Sequence, residues 1–319
     1  MTKKTDKYRP VDLSRINRFS IKKRSSKAAR SQFGKPMTKS DKADPFLDNL
    51  PDFLKAADLK AFVGHVVKAR TKNKPFHLMM GAHPIKVGLS PILIDLMKSG
   101  IVTGLSFNGA GVIHDLEVAF FGRTSEDVQA GLTDGSFGMA KETGEMFGAV
   151  CSAAERCRVG LGEACGLFIN KNKARYRDVS LFASAQSLEL PATVHIGIGT
   201  DIVCQHPEYD GALAGEASYR DFRLLAAVCA DLDRGGVLAN IGSAVMLPEV
   251  FLKALTVSRN LKKGRSRLVT ANFDMIEHYR PRVNVVTRPT FGAGVGYGFV
   301  GHHEIMIPLL AWALKSRLA

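Results

Sequence analysis

Leu50, Phe53, Leu54, Leu59, Phe62, Val63 and Val66 recur at helical spacing and predict an amphipathic helix. After Pro75 the pattern changes, and Phe76-His77-Leu78-Met79-Met80 reads as a buried strand ending at Gly81. Ser90 as N-cap, Pro91 at the first helical position and Gly100 past the end frame a helix from Ile92 to Lys98. Ile101 to Phe107 predicts a second strand, closed by Asn108-Gly109-Ala110-Gly111, with a helix continuing through His114, Glu117 and Ala119. Thr124 and Asp127 have the spacing of a capping box at the next helix start.

The same grammar returns further on. Ala192 to Ile196 predicts a strand closed by Gly197-Ile198-Gly199-Thr200-Asp201, followed by a helix over Arg220 to Ala230. Gly236 to Ile241 predicts a strand closed by Gly242-Ser243, followed by a helix from Pro248 to Val257. Arg267 to Ala271 and Val283 to Val286 read as further strands. Strands alternating with helices imply a doubly wound α/β fold, with a mostly parallel sheet and helices on both faces. Right-handed crossovers then bring every strand-end loop to one edge. Residues 46–319 are expected to form one such domain.

Composition supports a globular core: 45% of the 319 residues are hydrophobic and 23% charged. The formal charge of +14 is a property of the start of the chain. Residues 1–45 hold nine Lys and five Arg against four Asp. Ile21-Lys22-Lys23-Arg24-Ser25-Ser26-Lys27 is poor in large apolar residues, so residues 1–45 are expected to be a disordered basic arm. Such an arm is either inert or contacts RNA, a membrane surface or an acidic partner through counterion release. Five cysteines without C-x-x-C spacing fit neither a disulfide framework nor a zinc ribbon. No apolar run is long enough for a membrane span, and no signal-like h-region follows Met1-Thr2-Lys3-Lys4, so a cytoplasmic protein is expected.

The small-residue turns carry the first chemical signal. A strand passing through glycine into a helix gathers backbone N–H groups and a positive helix end, which suits a pyrophosphate. Gly81-Ala82-His83-Pro84, Asn108-Gly109-Ala110-Gly111, Gly197-Ile198-Gly199 and Gly242-Ser243 all have this form, although His114 stands where a dinucleotide fingerprint has its third glycine. Four such loops on one edge predict dinucleotide binding at a switch point. Beside them lie His114, Asp115 and Glu117, then Asp201 followed by His206, Asp210, Glu216 and Asp221. Asn272 and Asp274, beyond Val269-Thr270-Ala271, are placed to accept ribose hydroxyls. His302-His303-Glu304 lacks the H-E-x-x-H spacing of a zinc site.

With these residues in hand, the chain resembles the deoxyhypusine synthase family over roughly residues 76–319. The family's first NAD loop, Thr-Ser-Asn-Leu-Ile-Ser-Ser-Gly, falls on Gly81-Ala82-His83-Pro84-Ile85-Lys86-Val87-Gly88. Its Thr-Ala-Gly-Gly-Val-Glu-Glu-Asp is similar to Asn108 through Asp115, and its Thr-Asp-Gly-Ser to Thr200-Asp201. Its Leu-Gly-Gly-Gly-Val-Val turn corresponds to Asn240 through Val245, and its Asn-Thr-Ala-Gln-Glu-Phe-Asp resembles Val269 through Asp274. Its Ala-Asp-Ala-Ser-Leu-Val-Phe-Pro-Leu-Leu matches Gly301 through Leu310, which adds His302 to the expected cofactor contacts. The resemblance implies bound NAD held by Gly81, Ala82, His83, Lys86, Asn108, Gly109, Gly111, Gly242, Ser243, Asn272, Asp274 and His302.

It also implies a homotetramer and transfer of an aminobutyl group from a polyamine through an imine on an enzyme lysine. Met246 stands at that lysine's position, and methionine cannot form an imine. Ile113-His114 replaces the paired glutamates that hold the polyamine. The run from Asn108 to Glu117 also resembles the Gly-Asn-Ala-x-x-x-His-Asp-x-Glu element of archaeal NAD-dependent ornithine cyclodeaminases. The leading expectation is a divergent NAD-dependent transferase or deaminase acting on an amine, polyamine or amino acid, with His114, Asp115, Glu117 and Asp201 as catalytic residues. A non-catalytic NAD-binding module is the alternative of a different class.

Overall fold

The computed structural model describes residues 13–33, 46–262 and 267–318. Six strands form one sheet: β1 (Phe76–Met80), β2 (Gly104–Asn108), β3 (Ala192–His195), β4 (Val237–Ile241), β5 (Val269–Asp274) and β6 (Val295–Val300). They are hydrogen-bonded in the order β3-β2-β1-β4-β5-β6, and every pair is parallel. The doubly wound α/β fold expected from the strand–helix alternation is therefore present. β1, β3, β4 and β5 are buried along their whole length, as strands covered on both faces must be.

Alternate residues feed two cores. On one face Leu78, Met80, Leu105 and Phe107 pack with α1 (Leu54–Thr71), α2 (Ser90–Lys98), α3 (Gly109–Phe121) and a C-terminal helix. Phe62 of α1 sits among Phe76, Phe273, Tyr297 and Phe299, with ring centroids 5.6 to 6.3 Å away. On the other face Met79 and Leu238 pack with Leu225 and Cys229 of α4 (Gly211–Leu232) and Phe251 of α5 (Met246–Lys262). Among the described residues, no helix is long and apolar enough to cross a membrane.

Four local expectations are corrected. Val283 to Val286 is β-branched but is wound into a single wide (π) helical turn over Arg282–Thr287, entered directly from Pro281. The sixth strand lies instead at Val295–Val300, where glycines at 296 and 298 dilute the apolar signal. The helix expected from Arg220 begins earlier, at Gly211, because Asp210 caps it through the N–H groups of Ala212 and Leu213. Ser90 caps nothing with its buried hydroxyl, and Asp127 alone caps the helix at Val128–Asp134.

The arm is corrected too, as far as it is described. Residues 13–33 lie on the body; the remainder of 1–45 is outside the described residues. Ile21 is fully buried, and its N–H donates to Glu142 at 2.7 Å. Lys141 N–H donates to the Phe19 carbonyl at 2.7 Å, and Ala28–Ala29 pairs antiparallel with Arg123–Thr124. Polar pairing rather than apolar area fastens this segment, which is why low hydrophobicity misjudged it.

Asp221 of α4 accepts from the N–H groups of Gly162, at 2.9 Å, and Val194, at 2.7 Å, tying two helices to β3. Burial nonetheless pushes its pKa up to about 7, and its Oδ1 has no partner. An acid whose folded pKa exceeds its unfolded value loses stabilisation as pH rises between the two. Stability measured by urea unfolding is expected to decline from about pH 4 to pH 7 at this site. Asp221→Asn keeps an acceptor and should flatten that part of the profile.

Candidate functional site

The strand order reverses direction between β1 and β4, so the carboxyl ends of these two strands form the switch point where doubly wound folds open a crevice. Gly81 and Gly242 are the two crests. Gly81 N–H donates to Ile241 O at 3.1 Å, and a Cβ on Gly81 would lie 2.3 Å from Gly242 O. Gly242 has φ +65°, and a Cβ there would meet the His303 ring at 2.7 Å. His303 is buried and donates from Nε2 to Phe273 O at 3.1 Å, which leaves Nδ1 as an acceptor with no partner. His83 meets it edge-on, with ring centroids 5.2 Å apart. Burial, then the charges of His303 and Lys86, lower the His83 pKa. Asn240 donates to Ser243 O at 3.0 Å and to Asn272 Oδ1 at 2.7 Å, while its own Oδ1 is buried without a partner. Two orphaned acceptors therefore stand at these crests.

A cleft of about 160 Å³ lies alongside, where one face of α3 meets the loops after β1 and β3. Ala110, Ile113, His114 and Glu117, spaced by single helical turns, form its floor. Lys86, Asp201, Glu126 and Arg24 supply charge around it. Among the described residues, the Lys86 ammonium has no hydrogen bond or ion pair, while its backbone N–H donates to Ala82 O at 3.1 Å.

The centre of the cleft is a relay. Glu117 is 1% exposed and takes both terminal nitrogens of Arg24, at 2.9 and 2.8 Å, together with the hydroxyls of Thr143 at 2.8 Å and Thr124. Burial opposes this carboxylate, but the Arg24 bonds and charge, His114 and Thr124 outweigh it and hold its pKa below the usual range. Because Thr124 gives its proton to Glu117, its oxygen must accept from His114 Nδ1, 2.6 Å away. That fixes the tautomer and leaves Nε2 as a free lone pair. Burial lowers the His114 pKa to about 4, so the ring is neutral near pH 7. Its side chain keeps 17% of its surface open.

Asp201 closes the far side. Its Oδ2 accepts from Gly197 N–H at 2.8 Å and rests on the backbone of Gly109, where a Cβ would come within 2.1 Å of it. Burial raises its pKa. The carboxylate thus occupies the approach to the α3 N-terminus. Gly109→Ala is expected to push Asp201 out of place, read as displacement of the 197–201 loop in a crystal structure with the fold retained.

Several expected site residues have other employment. Asp115 is fully buried and turned away from the cleft; it accepts from Ser180 Oγ, Leu181 N and Phe182 N, capping the helix at Leu181–Ser187. Glu117 lines the cleft, and its oxygens are taken up by Arg24, Thr124 and Thr143. Asn108 caps α3 through Gly111 N–H, Gly111 lies against the Phe107 ring, and Gly109 lies against Asp201. Asn272 is spent on Asn240, and Asp274 accepts from its own neighbour Met275. His302 is exposed and lies 3.8 Å from Glu304; its neighbour His303 is the histidine at the crest. His206 donates to or accepts nothing in the cleft and bonds Gly138 O, Asp210 caps α4, Glu216 pairs with Arg220, and Asp221 is internal. Gly81, Ala82, His83, Gly242 and Ser243 remain at the switch point, with Lys86 between it and the cleft. Arg24, Thr124 and His303 were missed: Arg24 belonged to a segment read as disordered, and Thr124 to a cap.

No family model matches this chain, and no curated protein matches it. Solved structures share its fold at low identity. A conserved LOR/SDH protein of Methanococcus maripaludis S2 is 13% identical, with a TM-score of 0.52, over 88% of this chain and 75% of that one. Unliganded AgrE is 14% identical with a TM-score of 0.50, over 82% of this chain but 32% of its own length. AgrE has also been solved in a ternary complex with ornithine and NAD+, aligned at a TM-score of 0.49. A protein of Entamoeba histolytica described as a deoxyhypusine synthase is 9% identical at a TM-score of 0.45, over 87% of this chain and 96% of that one. The chain thus spans about a third of the length of AgrE, and what it shares with the archaeal protein and AgrE is the α/β architecture.

Proposed function

We propose that this chain is an NAD-dependent enzyme that oxidises the carbon–nitrogen bond of a small amine or amino acid. The observation that carries the proposal is the fixed tautomer of His114, which turns an unprotonated Nε2 into a cleft beside a doubly wound switch point. The crest residues fit a dinucleotide. The two crests are glycines packed against each other and the His303 ring, and beside them the buried, unpartnered His303 Nδ1 and Asn240 Oδ1 would take ligand donors such as hydroxyl or amide groups. Gly81, Ala82, His83, Gly242, Ser243 and His303 would hold it, and Lys86 would face an anionic part of cofactor or substrate. When bound, NAD supplies the acceptor for the two electrons that leave with the carbon-bound hydrogen.

The remaining chemistry belongs to the chain's own groups. Asp201 and Glu126 hold the substrate ammonium by charge-assisted hydrogen bonds. His114 Nε2 takes the proton that the nitrogen releases as the C=N bond forms, and the imidazolium is balanced through Thr124 by Glu117. Water attacking the C=N carbon then releases ammonia, or a second amine of the same substrate closes on it. Met246, which the resemblance sets where deoxyhypusine synthases keep their lysine, offers no covalent carrier, which favours hydrolysis or cyclisation over transfer.

The test is incubation with NAD+ and a panel of polyamines, diamines and amino acids, following reduced cofactor and ammonia. Turnover of at least one amine is the expected result. Normal NAD+ binding with no amine consumed would leave a cofactor-binding module and end the catalytic reading.

A further inference from the structure

At the opposite edge of the sheet, where β1, β2 and β3 begin, a larger cleft of about 430 Å³ opens between the ends of α1 and α4. Arg70, Lys74 and Arg234 line it, opposed by Asp231 alone. Arg70 is fastened to the wall through Gly100 O, at 2.9 Å, and Lys74 O, while Arg234 and Asp231 are 3.7 Å apart and largely exposed. Among the described residues the Lys74 ammonium has no ion pair. Three cations against one carboxylate leave the cleft net positive.

The same cleft reaches His77, which is 1% exposed. Its Nε2 is 2.8 Å from Ser106 Oγ, which is 2.7 Å from Thr193 Oγ1, which is 3.1 Å from His195 Nε2. Burial, then the charge of His195, pushes the His77 pKa down to about 3, and burial takes His195 to about 4, so both rings are neutral. A chain of two neutral imidazoles and two hydroxyls has two consistent orientations. When His195 donates toward His77, the His77 Nδ1 must carry a hydrogen. Nδ1 faces Gly104, and a Cβ there would sit 2.6 Å from it. Gly104, the first residue of β2, thus leaves room for the His77 ring against its backbone.

We propose that this cleft is a second ligand site, separate from the carboxyl-edge cleft, which takes a small oxyanion: a carboxylate- or phosphate-bearing metabolite held by Lys74, Arg70 and Arg234 and read by His77 Nδ1–H. The hydrogen-bond chain lets His77 become a donor by reorienting hydroxyls and one distant tautomer, with no charge to bury. That suits a group too deep to ionise.

Calorimetric titration of the full chain with inorganic phosphate and with citrate tests it, alongside 15N NMR of labelled histidine. Saturable binding of either anion is expected; phosphate alone identifies a phosphoryl ligand and citrate alone a carboxylate. His77 Nδ1 should move toward the protonated-nitrogen position without the ring becoming charged. The double variant Lys74→Glu, Arg234→Glu changes two surface positions and should keep its Tm while binding at least ~10-fold more weakly. Neither anion binding saturably, equal affinity in the double variant, or a His77 signal that ignores the anion would each overturn the proposal.

Discussion

Replacing His114 by Gln is expected to cut turnover of the amine substrate by roughly 10²–10⁴-fold while NAD+ binds as before. Glutamine fills similar space and can still donate to Thr124, but it offers no basic nitrogen to the cleft. The size of the effect follows from what a positioned acid–base group contributes, not from binding, so the loss should fall on kcat. Two companions separate this from general damage. Thr124→Val removes the link between His114 and Glu117, freeing the tautomer, and should lower turnover less than His114→Gln. The pH profile of kcat/KM should hold its acid limb near pH 4, since the His114 pKa lies at about 4 and protonation below it removes the base. A profile that collapses near pH 6.5, the ordinary histidine value, would mean the imidazole is solvated and not part of this relay.

Arg24→Ala is expected to destabilise the fold by about 3–5 kcal/mol, because removing one partner of a buried pair strands the other charge. Glu117 is 1% exposed and Arg24 6% by side chain, and their two-pronged contact is the buried ion pair among the bonds that fasten residues 13–33 to the body. Lysine does not repair it, since an ammonium cannot match both oxygens in a plane. The double variant Arg24→Ala, Glu117→Gln should recover most of the loss, because no charge is then left behind. The sign with pH follows from linkage. Glu117 has its folded pKa below the unfolded value of 4.5, so the pair's contribution is present above about pH 4.5 and disappears as pH falls through the folded pKa. Urea unfolding of the wild type and Arg24→Ala should therefore converge at low pH, and a difference independent of pH would assign the loss to side-chain packing instead.

Much of the frame was legible because period and punctuation agreed. Phe76 to Met80 and Val237 to Ile241 are short apolar runs stopped by glycine, and a parallel sheet follows from their alternation with helices, whereas the strand order with its reversal between these two is visible only in the structure. Val283 to Val286 failed because β-branching is a statement about pleated surfaces, whereas this run packs as a helical turn whose Val285 carbonyl accepts from Thr270 Oγ1 at 2.7 Å. At the site, His114 and Asp201 were readable as polar residues just past strand ends. Asp115 was misread for a physical reason: one position along a helix turns a side chain by about 100°, and that rotation carries Asp115 from the cleft to the cap of Leu181–Ser187. Arg24 and His303 carried no local signal at all. Arg24 becomes meaningful only when its partner, 93 residues away, is known, and His303 differs from His302 only in which side of a helix start it occupies.

If the crests at Gly81 and Gly242 hold a dinucleotide next to the His114 cleft, a crystal structure of the chain grown with saturating NAD+ will show it. The dinucleotide is expected across Gly81 and Gly242, with its own hydroxyl or amide donors bonded to the acceptors His303 Nδ1 or Asn240 Oδ1 and its reactive end opening toward His114. NAD+ bound elsewhere, or absent from crests left unchanged, would contradict it.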